Sequence, residues 1–291
     1  MAQPGRVQVG WHRLIPILLQ AAIIVSAAGT CVASPDEESP ATQPGSQPAT
    51  DPLPFRLELG GYYSWVDQGF GDWRGLNAEF WWRGNARFVP ALLVDSQSRP
   101  TGTQQNYAFT SYLNWRPSFY TTQGVSFAPQ GSDLAIYFPK VRYDIKGHWK
   151  LRRDRNVVVA AGFTHFDFGR PGQGQIYNAG TIYYRDKLVL EGNFYLNRSQ
   201  PGGLWSASGS MAAQYGREGK YWAGVTFGGG KELYRQDALT PIDVRHTSYT
   251  IQVFYRRWLS PRVGYVAGAT FQDKLDAYKR AGGWGRLFFE F

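Results

Sequence analysis

From residue 55 to the C-terminus, hydrophobic and polar positions alternate with a period of two. The clearest stretch is Tyr137 to Lys150. Tyr137, Pro139, Val141, Tyr143, Ile145, Gly147 and Trp149 occupy one set of positions. Lys140, Arg142, Asp144, Lys146, His148 and Lys150 occupy the other. Successive side chains of a strand point to opposite faces, so this stretch predicts a strand with one greasy side and one charged side. The same division recurs along the chain. Trp205, Ala207, Gly209, Met211, Ala213 and Tyr215 oppose Ser206, Ser208, Ser210 and Gln214. Tyr249, Ile251, Val253 and Tyr255 oppose Thr250, Gln252, Phe254 and Arg256. Leu188, Leu190, Phe194 and Leu196 oppose Glu191, Asn193, Tyr195 and Asn197. Segments 118–127 and 175–185 alternate less cleanly.

Turn signals such as Arg83-Gly84-Asn85, Arg116-Pro117-Ser118, Arg185-Asp186-Lys187, Gly216-Arg217-Glu218-Gly219 and Ser260-Pro261-Arg262 delimit the strands. Fourteen are predicted: 55–65, 75–83, 86–95, 105–116, 118–127, 134–151, 156–168, 175–185, 187–198, 204–216, 219–231, 247–259, 262–273 and 283–291. Short connections alternate with longer ones at 66–74, 96–104, 128–133, 169–175, 198–203, 232–246 and 273–282. That arrangement predicts an all-β fold, a closed antiparallel transmembrane β-barrel. A spanning sheet must close on itself because hydrocarbon satisfies no open edge. An even strand count returns both termini to one side, expected to be the periplasm. The strand predicted at 134–151 exceeds the ~10 residues that cross a bilayer and should protrude.

A soluble β-sandwich shares the alternation but turns its greasy face inward. Two details favour the barrel. Trp115, Tyr137, Trp149, Trp205, Tyr215, Tyr221 and Tyr249 gather near strand ends on the apolar face, as interfacial girdles do. Small residues occupy the opposite face (Ser206, Ser208, Ser210, Gly224, Gly228, Gly264, Gly268), where they would leave room in a lumen.

The N-terminus reads as an address. Arg6 and Arg13 precede an apolar run from Leu14 to Val25 and then small residues to Ala33, the layout of a secretory signal. Cleavage after Ala33 is expected, which assigns 1–33 to a signal peptide. An uncleaved anchor competes with this reading. The run, however, is shorter than the ~20 residues of a spanning helix, and Pro16 and Gln20 interrupt it. A lipid-anchored Cys31 would follow Thr30, where lipoprotein signals favour Gly or Ala. Residues 34–54, rich in Pro, Ser and Thr, lack an apolar period and are expected to be a disordered linker. Residues 55–291 form the barrel.

Composition narrows the choices. Of 291 residues, 43 % are hydrophobic and 16 % aromatic, yet mean hydropathy is −0.38. That argues against a bundle of membrane helices. A single Cys excludes a disulfide scaffold and a thiolate zinc site. No metal or cofactor is indicated. The formal charge of +9 raises nucleic-acid binding. The cations fall instead in predicted turns (Arg153, Arg155, Arg185, Lys187, Arg217, Lys220, Arg262) and in the lumen, so no nucleic acid is expected.

The last strand, Gly283-Trp284-Gly285-Arg286-Leu287-Phe288-Phe289-Glu290-Phe291, ends on an aromatic, with Leu287, Phe289 and Phe291 on one face. It resembles the signal that the outer-membrane assembly machinery recognises. The chain from about 55 to 291 resembles the YaiO-type outer-membrane β-barrel family. The resemblance includes Tyr143-Asp144-Ile145-Lys146-Gly147-His148-Trp149, Tyr183-Tyr184-Arg185-Asp186-Lys187 and Tyr255-Arg256-Arg257-Trp258-Leu259. It implies a Gram-negative outer-membrane barrel, in contact with lipids and lipopolysaccharide, sometimes linked to envelope polysaccharide machinery. It transfers no binding residue.

The candidate chemistry is a basic lumen column: Lys140, Arg142, Lys146 and Lys150, joined by Arg256 and Arg286. A basic wall concentrates anions, and acidic or phosphorylated glycans would suit it. The alternative is that the same cations pair with Glu58, Glu79, Glu191 and Glu290 and plug the barrel. His165 and Asp167, two residues apart, have the types of a general-base pair but no accompanying Ser motif. Gly228-Gly229-Gly230-Lys231 lacks the spacing of a phosphate loop. The expected function is a non-enzymatic transport or assembly component tied to polysaccharide export. The rivals are an anion-preferring porin, a barrel enzyme built on His165 and Asp167, and an adhesin or phage receptor read through 232–246 and 273–282.

Overall fold

The computed structural model describes residues 53–129, 137–151, 156–169, 172–200, 202–235 and 243–291. The predicted leader and most of the linker lie outside them. Fourteen strands follow in order: β1 (Phe55–Val66), β2 (Trp73–Trp82), β3 (Phe88–Arg99), β4 (Gly102–Arg116), β5 (Phe119–Phe127), β6 (Val141–Lys150), β7 (Val157–Asp167), β8 (Gln173–Arg185), β9 (Leu188–Gln200), β10 (Leu204–Arg217), β11 (Tyr221–Arg235), β12 (Asp243–Ser260), β13 (Val263–Lys274) and β14 (Tyr278–Glu290). Each pairs antiparallel with its sequence neighbours, and β1 pairs with β14 to close the barrel. Closure runs from Arg56 opposite Glu290 to Val66 opposite Arg280. Phe55 and Phe291 exchange backbone hydrogen bonds of 2.9 and 3.0 Å, and their rings stack at 5.6 Å.

The greasy face points outward. Leu92, Val125, Ile145, Phe194, Met211, Val253 and Leu287 are all exposed on the outer wall, the inverse of a soluble sandwich. Rings bound this belt at both ends. Tyr215, Tyr221, Tyr255 and Tyr265 neighbour one another in sequence at 6.3–6.5 Å near the tight turns. Tyr143, Phe163, Tyr177 and Trp205 do so at 5.4–6.1 Å toward the other end. Amphipathic rings favour the membrane–water boundary, so the two rows mark its two levels.

Several expectations need correction. The sixth strand begins at Val141, so it does not protrude; β12, with 18 residues, is the longest. Tyr137 and Pro139 do not face lipid: both are buried, and Tyr137 turns into the barrel mouth. Parity carried the pattern past the point where the chain leaves the sheet. The strict alternation of short and long connections also fails. Only Pro100 and Thr101 separate β3 from β4, and only 275–277 separate β13 from β14. Strands continue beyond the membrane through segments such as Ser96-Gln97-Ser98-Arg99, where both faces are polar. Backbone ladders persist there although the hydrophobic alternation ends.

The small inward residues do not simply leave space. A Cβ on Gly264 would lie 2.1 Å from the Phe288 ring, one on Gly268 2.6 Å from Trp284, and one on Gly224 2.3 Å from Phe254. These glycines seat large rings of the adjacent strand. Gly228, whose Cβ would meet nothing nearer than 3.7 Å, does border open space.

Candidate functional site

At the end where Phe55 and Phe291 close the sheet, inward side chains pack against one another in the lumen. Tyr120, Val158 and Ile182 form one buried cluster, with Val189 packed against it. Trp222, Phe254, Trp258, Val266 and Phe288 form another, and Val189 packs against this one too. The two make a continuous apolar floor from β5 round to β14.

A charged network is set into the floor. Arg56, fully buried, donates from Nε to Glu290 Oε1 at 2.9 Å and from Nη2 to Glu218 Oε1 at 3.1 Å. Glu218 belongs to the turn between β10 and β11, so this contact spans the mouth. Arg83 lies 3.3 Å from Glu290. Arg256 donates to Glu58 at 2.8 Å, and Arg286 donates to Glu79 at 3.1 Å. The guanidinium carbons of Arg56 and Arg256 sit 5.8 and 5.7 Å from the Trp258 ring centre and 5.3 and 5.2 Å from that of Phe288. Buried charges persist only when paired and hydrogen-bonded, and four arginines here meet four glutamates. Arg256 and Arg286, expected in a basic column, are thus bound to the acids named as their alternative partners.

The rest of the column divides. Lys140 lies in the bend before β6 and is exposed. Arg142, Lys146 and Lys150 face inward as their parity requires. Arg142 approaches Asp144 at 3.7 Å, Lys146 donates to Asn193 at 3.1 Å, and Lys150 lies 5.6 Å from the Tyr120 ring centre. Asn193 in turn donates to Glu191 at 2.6 Å. The side chain of Asp144 keeps 37 % of its exposure, so the middle of this wall is wet. His148 is buried and stacks on Tyr120 at 4.4 Å.

His165 and Asp167 are on the outer wall, not in the lumen. By parity they share the face of Phe163, and the His165 ring stacks on Tyr143 at 5.1 Å. Asp167 accepts from the backbone N–H of Gly169 at 2.7 Å. No hydrogen bond joins the pair among the described residues. Leu287 and Phe289 on β14, and Phe291 just after it, are exposed on the outer wall.

Sequence reasoning missed the cations at the opposite mouth. Arg99, Lys274 and Arg280 all face inward and are buried. The guanidinium of Arg99 lies between Trp73 and Tyr137, 3.8 and 4.3 Å from their ring centres, and that of Arg280 lies 5.4 Å from Trp73. Tyr137 is held by hydrogen bonds from its N–H to Gln104 Oε1 (2.6 Å) and from its hydroxyl to Gly102 O (3.0 Å). Desolvation raises its phenol pKa above the ordinary tyrosine value. Arg280 and Lys274 fall in or beside the predicted loop 273–282, which hid their strand parity. Among the described residues no group of His, Cys, Asp and Glu is arranged to hold a metal ion.

Known structures share the architecture. A CymD monoaromatic hydrocarbon channel superposes with a TM-score of 0.55 at 9 % identity, covering 82 % of this chain and 89 % of that one. The outer membrane protein Omp33 of Acinetobacter baumannii gives 0.47 at 14 % identity, over 82 % and 99 %. At such identities the likeness concerns the fold alone. No curated protein sequence matches the chain. The YaiO membrane beta barrel domain matches residues 55–235, more than half of the chain and β1 through β11. With an outward apolar belt, girdles at both rims and a sheet closed on β14, the chain belongs to the YaiO family of outer-membrane β-barrels.

Proposed function

We propose that the protein is a non-enzymatic transport or assembly component that handles anionic envelope polysaccharide, with its lumen closed at rest at the end carrying the termini. The floor of Trp258, Phe288 and Trp222, with its Arg–Glu network, carries this reading. It separates the protein from a general diffusion porin. Barrels of 16–18 strands leave an aqueous channel, whereas this one has fourteen, with Trp222, Trp258 and Phe288 packed inside its tight-turn end. The wet wall of β6 and the cations of the opposite mouth favour anions within the accessible part. The tight-turn end faces the periplasm and the other faces outward. Barrel assembly proceeds through the outward Leu287, Phe289 and Phe291.

Planar-bilayer recording of the purified chain tests the closed lumen. The wild type should show no steady large conductance, and Trp258→Ala or Arg56→Ala should raise it by removing floor. Steady wild-type conductance of open-porin size overturns the proposal. Cation preference in the current of a floor variant would overturn the anionic cargo.

A further inference from the structure

The loop-end corner of the lumen holds more cationic and polar capacity than its own side chains use. Arg280 is buried, yet it makes no ion pair among the described residues, and its Nε has no hydrogen-bond partner. Its cross-strand neighbour is Gln272. Gln272 is fully buried, and neither its Nε2 nor its Oε1 finds a partner. Arg99 brings a second cation to the ring of Trp73 that Arg280 also contacts. Both guanidinia are braced by aromatic rings rather than free to swing. A buried guanidinium and a buried amide left unmatched are each costly, so these groups are arranged for something they receive.

The pattern of unmatched atoms describes the ligand. A guanidinium recognises an anion, and its planar fork matches a carboxylate in two bonds. Gln272 offers a donor and an acceptor together. A sulfate or a phosphodiester only accepts at neutral pH, and would leave Oε1 unmatched. A ligand carrying a carboxylate beside a hydroxyl satisfies Arg280 and both polar atoms of Gln272. We infer that the lumen corner of Arg280, Gln272 and Arg99 binds a carboxylated sugar unit of an acidic glycan. The carboxylate pairs with Arg280, an adjacent hydroxyl bonds to the Gln272 amide, and Arg99 supplies the second positive charge. This inference rests on the reading of the barrel as a handler of envelope polysaccharide and names the chemical class of the cargo.

Calorimetric titration of the folded full chain in detergent tests it, with trigalacturonate, a neutral galactose trisaccharide and inorganic sulfate as probes. Trigalacturonate should bind at least about tenfold more tightly than either other probe, the scale of one charged hydrogen-bonded pair. Arg280→Gln should weaken it about tenfold or more. Gln272→Glu, which sets a carboxylate against the ligand, should do the same and supplies the test where Arg280→Gln loses the compact band of an unboiled sample. Equal binding of acidic and neutral sugars, binding of sulfate as tight as that of the uronate, or wild-type affinity in a folded variant overturns the assignment. The two proposals separate cleanly. Open-porin conductance with uronate binding intact removes the closed lumen alone, and a closed lumen without uronate binding removes this site alone.

Discussion

A single methyl group distinguishes the two kinds of inward glycine. At Gly264 an added Cβ would lie 2.1 Å from Phe288 Cζ and 2.2 Å from the carbonyl oxygen of Arg257, and the backbone oxygen cannot move aside. Gly264→Ala should therefore lower stability by about 1–3 kcal/mol, the cost of overpacking. Gly228→Ala, with 3.7 Å to its nearest neighbour, should stay within about 0.5 kcal/mol. Urea midpoints of the barrel in detergent check both, and equal effects would contradict the packing described. The sequence shows that both glycines alternate onto one face; it does not show that a ring from the next strand occupies one and not the other. Arg56 teaches the same lesson. Its partner Glu290 is 234 positions away, and nothing local in β1 identifies it.

At the scale of the strand, two faces obey different solvents. Val253 and Thr226 are one register step apart on β12 and β11, at similar depth, but Val253 points to lipid and Thr226 to the lumen. Val253→Arg should cost about 2–4 kcal/mol near the bilayer midplane, while Thr226→Arg should cost less than half of that. Folding titrations into lipid vesicles measure the difference. Period two made this division legible in β6, β9, β10 and β12, because lipid on one side and water on the other impose opposite chemistries on alternate residues. It failed where both sides are wet. The polar ends of β3 and β4, and the start of β14, read as loops for that reason. Tyr137 failed in the opposite sense: its parity fits a strand, but the chain has already turned inward.

For the whole molecule, the placement of Phe55 and Phe291, the two ends of the closed sheet, at the tight-turn end leads to a prediction of orientation. In a Cys31→Ala chain, the Cys introduced by Asp276→Cys, in the β13–β14 turn, should react with a membrane-impermeant maleimide on intact cells. One at Asp186, in the β8–β9 turn, should react only after the outer membrane is breached. Labelling in the reverse order would invert the proposed direction of the barrel. The number of strands, their antiparallel order and the outward sense of the greasy face were fixed by the linear pattern. A bilayer acts on each residue through local polarity alone, and local polarity is written along the chain. The floor and the cationic mouth were decided only by closure of the sheet. Closure brings β1 beside β14 and carries Glu218 across to Arg56, so residues far apart in sequence become partners. Which inward cations meet acids depends on that circle and not on any segment of it.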